Sequence, residues 1–332
     1  MLIPSAIARH HSAETTLLAR FVAGDPEAAH SLFRLLGSND RASAESVLEV
    51  ISNDADLLLW QRLLHHVALH RSLDRTAGHS PADPETAERA YTALVDLFLK
   101  DDDPPAVMQI KSAALSAGLT EAEPGIRHTA ATLLGLQGDA RAVDVLIEAA
   151  GTGERECQLR AVAVLGHLKV ERGGMALVAA LASDDEEVHW AASQAIRALQ
   201  AAALPALIQT LKAPKPHVRW HAVCLLGDIG AVQAAGNLAE ALWDDDFSVR
   251  WAAAEALTKL GALAVPEILR RLAHRVLTED VCQAAYHTLR QLAPGIGHNR
   301  LQPLLEVLRE RQAPHEAPPL ADELLQTWES KG

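Results

Sequence analysis

The chain has 332 residues, 49% hydrophobic but only 4% aromatic, with 43 acidic against 30 basic side chains and a net charge of −13. An apolar set dominated by Ala and Leu favours close-packed helices over sheets, which prefer β-branched and aromatic residues. The acidic balance excludes general nucleic-acid binding, which needs Lys and Arg to displace counterions, and no apolar run reaches the ~18 residues of a membrane span.

The N-terminal stretch "MLIPSAIARHHSAETT" lacks a basic start, a long apolar run and a small-residue cleavage site, so no secretory signal is expected. Cys157, Cys224 and Cys282 lie far apart in apolar helical stretches and are expected as free core thiols, which suits a reducing cytoplasm. Helical patterns run near 14–23, 26–36, 42–52, 55–72, 85–100 and 105–118, with start signals at Asp25-Pro26, Asp54 and Pro84. "DRTAGHSPADP" at 74–84 reads as a loop. His66 and His70 have the i, i+4 spacing of a metal pair. With no Cys or H-E-x-x-H pattern nearby they are read as a solvated helix face, and His10-His11 as a tail. Residues 1–120 are expected to form a helical N-terminal cap on the remainder of the chain.

Beyond residue 120 the sequence repeats itself. "IRHTAATLLGLQG" at Ile126, "CQLRAVAVLGHL" at Cys157, "VHWAASQAI" at Val188, "VRWHAVCLLGDIG" at Val218, "VRWAAAEAL" at Val249 and "VCQAAYHTLRQL" at Val281 share one frame at 30 to 32 residue spacing. Between them recurs a second block, such as "LPALIQTLK" and "VPEILRRLA". Val218, Ala222, Leu225, Leu226 and Ile229 fall on one helix face. Gly230 is placed to cap that helix, and Pro205, Pro266 and Pro303 to open the second helices. Acidic turns at 183–187 and 244–248 supply N-caps and suit the helix dipole. Each unit is therefore helix–turn–helix, and stacked units share a core.

An acidic turn, "VRxxAAxALGxxG" and "AVPALIxAL" in succession resembles the HEAT-like repeats of the phycobilin-lyase type, most closely in "DDDFSVRWAAAEALTKLGALAVPEILRRL" at 244–272. The resemblance covers roughly residues 122–311 and implies an all-α fold, an α-solenoid of about six repeats over 121–311. Residues 312–332 come next as a Pro-rich hinge ("RQAPHEAPP") and an amphipathic helix with Leu320, Leu324 and Trp328 on one face. The family contains enzymes, chromophore-handling proteins and adaptors, so it specifies fold more than function.

Trp190, Trp220 and Trp251, half of the six tryptophans, recur at one frame position. At roughly 100° per residue, Trp220 lies about 200° from the core residue Val218 and cannot share its direction. The resemblance implies that this helix lines the concave surface, so a row of Trp would face the groove. Arg219 and Arg250, with His189 in the matching place, form a neighbouring row. Two structural accounts compete: Trp edges filling gaps between helices, and Arg pairing with Asp of the adjacent acidic turn. The functional account is a binding stripe of Trp190, Trp220, Trp251, Arg219 and Arg250 with His217 and His221, set in a local basic run with Lys212 and Lys215.

The deoxyhypusine hydroxylase branch places His-Glu pairs after this "VR" to hold iron. Here the pairs are His128-Thr129, Leu159-Arg160, Trp190-Ala191, Trp220-His221, Trp251-Ala252 and Gln283-Ala284, and that activity is rejected. No nucleophile motif or phosphate loop is present. The expected function is a non-catalytic cytoplasmic adaptor or scaffold that grips a protein or peptide on its concave face, without metal or cofactor. The alternatives are a tetrapyrrole-handling protein like the phycobilin lyases and a HEAT-like DNA-binding glycosylase.

Overall fold

The computed structural model describes residues 13–73, 84–296, 298–310 and 312–330, and among them every regular element is a helix. The loop expected before Pro84 and His10-His11 lie outside the described residues, as does the side chain of His70. The chain divides into two compact units, Met1–Leu168 and Lys169–Gly332.

Unit 1 opens with α1 (Ala13–Val22), α2 (Pro26–Leu36), α3 (Arg41–Ser52), α4 (Leu57–Leu73), α5 (Pro84–Leu99) and α6 (Pro105–Gly118). These bounds agree with the expected helices to within a few residues. Asp25 caps α2 as expected, accepting from the backbone N–H of Glu27 and Ala28. The cap of α4 is displaced from its expected place. Asp56, not Asp54, accepts from the Leu58 N–H at 2.8 Å, while the Asp54 carbonyl takes the indole N–H of Trp60. Trp60 packs edge-on against Phe98 with ring centroids 5.2 Å apart, and Lys111 Nζ lies 4.9 Å from its ring. Lys111 is itself buried, donating to Asp103 and to the Leu97 carbonyl. Burial pushes its ammonium below the ordinary lysine range, the Asp103 partner opposing that shift. His66 is not on a solvated face: it packs against both Phe21 and Phe33, at 5.2 Å from each. The unit continues with α7 (Pro124–Leu136), α8 (Val143–Thr152) and α9 (Arg155–Leu168), in the repeat frame.

Unit 2 carries α10 (Gly174–Ala180), α11 (Glu186–Leu199), α12 (Leu204–Thr210), α13 (Pro216–Ile229), α14 (Ala235–Glu240), α15 (Phe247–Leu260), α16 (Val265–His274), α17 (Glu279–Ile296), α18 (His298–Leu308) and α19 (Ala313–Glu329). First helices α11, α13, α15 and α17 pack side by side, and second helices pair α10 with α12 and α14 with α16. The helix–turn–helix reading of the repeat holds throughout. Val218, Ala222, Leu225 and Leu226 are buried as the periodicity requires. Asp185 and Asp246 cap α11 and α15. Gly227 brings α13 onto α15, since a Cβ there would meet Ala256 Cα at 2.9 Å.

The first helices α7, α9, α11, α13 and α15 are each followed by a residue with positive φ, Gly138, Lys169, Gln200, Gly230 and Gly261, again one repeat apart. Glycine is the natural occupant, and Gly230 caps α13 in the left-handed conformation. Gln200, at φ 50° and ψ −118°, keeps this backbone against the preference of an L-residue. Gln200→Gly is therefore expected to raise stability by about 1 kcal/mol, read as a higher urea midpoint with unchanged slope.

Three expectations near the C-terminus change. Pro303 lies inside α18, which starts at His298, rather than opening it. The residues expected as a Pro-rich hinge form the first turns of α19, with Pro314 near its start and Pro318 and Pro319 inside it. Backbone bonds lost to proline are offset by burial of Ala313, Ala317, Ala321 and Leu325 where α19 packs on α16 and α18. That buried stripe is turned from the expected one, for Leu320, Leu324 and Trp328 are only half-buried. Of the cysteines, Cys282 is buried whereas Cys157 and Cys224 are half-buried, so only the first is a full core residue. Burial pushes the thiols of both Cys224 and Cys282 up to about 11.

Candidate partner-binding face

Trp190, Trp220 and Trp251 project from α11, α13 and α15 and are 63%, 38% and 41% exposed. Those exposures place none of the three in the core, although Trp251 does reach across to His287 on the neighbouring helix. Trp60 is fully buried and Trp243 half-buried, and each donates its indole N–H to a backbone carbonyl. The repeat-frame tryptophans thus behave unlike these two. Trp251 Nε1 reaches only Glu255 on its own helix, at 3.2 Å.

The adjacent arginine row has a different job. Arg219 is 9% exposed, and its guanidinium spans the turn before its own helix and the turn of the next repeat. Nε and Nη2 donate to the two carboxylate oxygens of Asp244, each at 2.7 Å, and Nη2 also reaches Asp245. Nη1 donates to the carbonyls of Ala213 and Pro214. Arg250 repeats the pattern, with Nη1 on the carbonyls of Asp244 and Asp245 and Nη2 on Asp280 at 2.8 Å. In unit 1, Arg127 does likewise with Glu121, Ala122 and Glu148. His189 substitutes an imidazole, its Nδ1 2.8 Å from the Leu181 carbonyl. Arg219 and Arg250, read from sequence as contact residues, are thus engaged as clamps between successive turns. Burial pushes the Asp244 carboxyl up, but the bonds from Arg219 and the Asp246 N–H outweigh it and hold it low.

What the row presents outward is a run of rings. His221 packs at a tilt against His189 at 4.2 Å, tying α13 to α11, and lies 4.8 Å from the Trp220 ring. Trp251 stacks on Phe247 at 6.3 Å and packs at a tilt against His287 of α17 at 4.4 Å. His217, Lys212 and Lys215 lie at or just before the start of α13, where Lys215 takes the position that Asp185 and Asp246 hold elsewhere and makes no capping bond. Phe247, 66% exposed, and His287 were not singled out in the sequence. The i, i+4 spacing of Phe247 from Trp251 was the available signal for the first, and the matching offset of His287 from Gln283 for the second.

Burial, then the charges of His189 and His217, depress the His221 imidazole to about 4. A base whose folded value lies below its unfolded one contributes stability above the unfolded value, near 6.5, and loses it as pH falls toward the folded value. Melting temperature is expected to drop between about pH 6.5 and about pH 4, and His221→Gln to flatten that drop; a profile identical to the parent would contradict the assignment.

The general model for HEAT repeats matches residues 112–197, 174–258 and 204–290, which together span more than half of the chain. The chain is a HEAT-repeat protein. A comparison with curated proteins finds no match. Among solved structures, an engineered protein aligns at 18% identity over 96% of this chain and 97% of its own, with a TM-score of 0.38. A second engineered protein aligns at 21% over 55% of this chain and 97% of its own, TM-score 0.29. The complex of CpcE and CpcF of phycocyanin lyase from Nostoc sp. PCC7120 aligns at 23% over 65% of this chain and 94% of the aligned chain, TM-score 0.29. In this HEAT-repeat protein no described helix is long and apolar enough to cross a membrane.

Proposed function

We propose that this HEAT-repeat protein is a non-catalytic adaptor whose first-helix face in unit 2, expected to be the concave one, docks a protein or peptide partner. The observation that carries the reading is the exposure of Trp190, Trp220 and Trp251 at one frame position of successive repeats. Exposed tryptophan in a row is an aggregation liability unless it is covered, and tryptophan dominates binding hot spots. A polyanion is disfavoured as the occupant. The net charge is −13, and Arg197, Arg219, Arg250 and Lys259 are all paired with carboxylates of the protein itself. Contact is assigned to Trp190, Trp220 and Trp251, with Phe247, His217 and His221 beside them, and Arg219 and Arg250 hold the turns that set their spacing. Residues 1–120 remain assigned as the helical cap of the repeats, with the solenoid over 121–311.

The test is affinity purification of tagged chain from its native cell, against the Trp220→Ala, Trp251→Ala double variant. A protein recovered with the parent and lost with the variant supports the reading. Equal recovery contradicts it, as would a visible-band shift on mixing with linear tetrapyrroles, which would move the assignment to a chromophore-handling protein.

A further inference from the structure

Unit 1 carries a surface that the partner-binding reading does not use. α3 and α5 both pack against α2 and leave between them a groove of about 910 Å³. Glu45, Leu48, Glu49 and Ser52 line it from one face of α3, and Ala93, Asp96 and Leu97 from one face of α5. It therefore runs along both helices for about two turns, ~11 Å. Its floor is apolar: Leu97 is buried, and Leu48, Ala93 and Leu99 are half-buried. Its rims are acidic. Lys100 is paired with Asp102 and Asp103, Lys111 takes the other oxygen of Asp103, and Glu45 is paired with Arg41. That leaves Glu49 on the α3 rim and Asp96 on the α5 rim. Both are exposed, and among the described residues neither carboxylate has a hydrogen bond or an ion pair.

An apolar floor between two rims that each present a free carboxylate to solvent is complementary to an apolar stripe flanked on both sides by cations. With so many exposed side chains along its edges the groove is a trough, whereas small-molecule sites enclose ~70–90% of their ligand. A linear occupant fits it better. Helix walls offer no backbone ladder, so an extended chain would leave its own peptide groups unpaired there, while a helix arrives with them already bonded. We propose that this groove docks a basic amphipathic helix of a partner protein. Its apolar stripe would lie on Leu48, Ala93, Leu97 and Leu99, and Lys or Arg on its two flanks would meet Glu49 and Asp96.

The test is titration of the full chain, by fluorescence anisotropy, with a labelled peptide of about 14 residues, ~21 Å as a helix, whose leucines form one face and whose lysines flank it. Saturable one-site binding is expected. A peptide with glutamate in place of each lysine, and a scrambled peptide of the original composition, are expected to bind weaker by roughly tenfold or more. Glu49→Lys with Asp96→Lys should weaken the basic peptide by a similar factor. The same charge change at the exposed Glu316 and Glu323 of α19 should leave its affinity nearly unchanged. Ala93→Phe, which fills the groove from α5, should abolish binding. Melting curves establish that each variant folds, and the exposed Glu49 and Asp96 carry the test if Ala93→Phe does not. No saturable binding, equal binding of either control peptide, or an equal loss in the α19 variant would overturn the site. So would a dimer of the chain that Ala93→Phe dissolves, which would give the groove to a second copy. Trp220→Ala with Trp251→Ala is expected to bind the peptide as the parent does. A loss there would move the peptide to the tryptophan face and overturn the groove while leaving the proposed function standing.

Discussion

Arg219→Ala is expected to lower the stability of the chain by about 3 kcal/mol, at the lower end of the cost of removing one partner from a buried ion pair. The side chain makes five hydrogen bonds to Ala213, Pro214, Asp244 and Asp245. Its loss leaves the Asp244 carboxylate, only 10% exposed, with no cation facing it across the turn. Part of the penalty is relieved because Asp245 is already open to solvent. Urea unfolding of unit 2 would show a lower midpoint. Arg219→Lys is expected to recover only a fraction, since an ammonium cannot reproduce the paired bonds to Asp244 while reaching two carbonyls. A midpoint unchanged from the parent would show that the turns hold together without the clamp.

The opposite pattern is expected for Trp220→Ala with Trp251→Ala. Both rings are about two-fifths exposed and outside the core, with His221, Phe247, His287 and Glu255 as their ring and hydrogen-bond partners. Removing them should leave the unfolding midpoint nearly unchanged. Two central aromatic anchors at about 2 kcal/mol each, added without coupling, amount to a loss on the order of 10³-fold in partner affinity. The single variants should each lose roughly tenfold or more, read by surface-capture titration of the partner. If the double variant instead unfolds early, the rings belong to packing and the docking face is elsewhere.

Much of this was legible in the sequence because the repeat states the same packing problem many times. A single amphipathic stretch is ambiguous, but Val188, Val218, Val249 and their equivalents at constant spacing define one buried face. The outward direction of Trp220 follows from its offset from Val218. The fate of Arg219 did not follow, because its carboxylates are 25 and 26 residues ahead and meet it only once consecutive turns are stacked. Local proline rules failed at α19, where contact with α16 and α18 overrides the preference of Pro318 and Pro319 for an extended chain.

The central claim, that the repeated tryptophans are the surface a partner covers, is tested most directly by hydroxyl-radical footprinting of the chain alone and with its purified partner. Trp190, Trp220 and Trp251 are expected to oxidise readily in the free chain and to be protected in the complex, while buried Trp60 stays unreactive in both. Unchanged oxidation of all three in the complex, with protection appearing at other positions, would contradict the account.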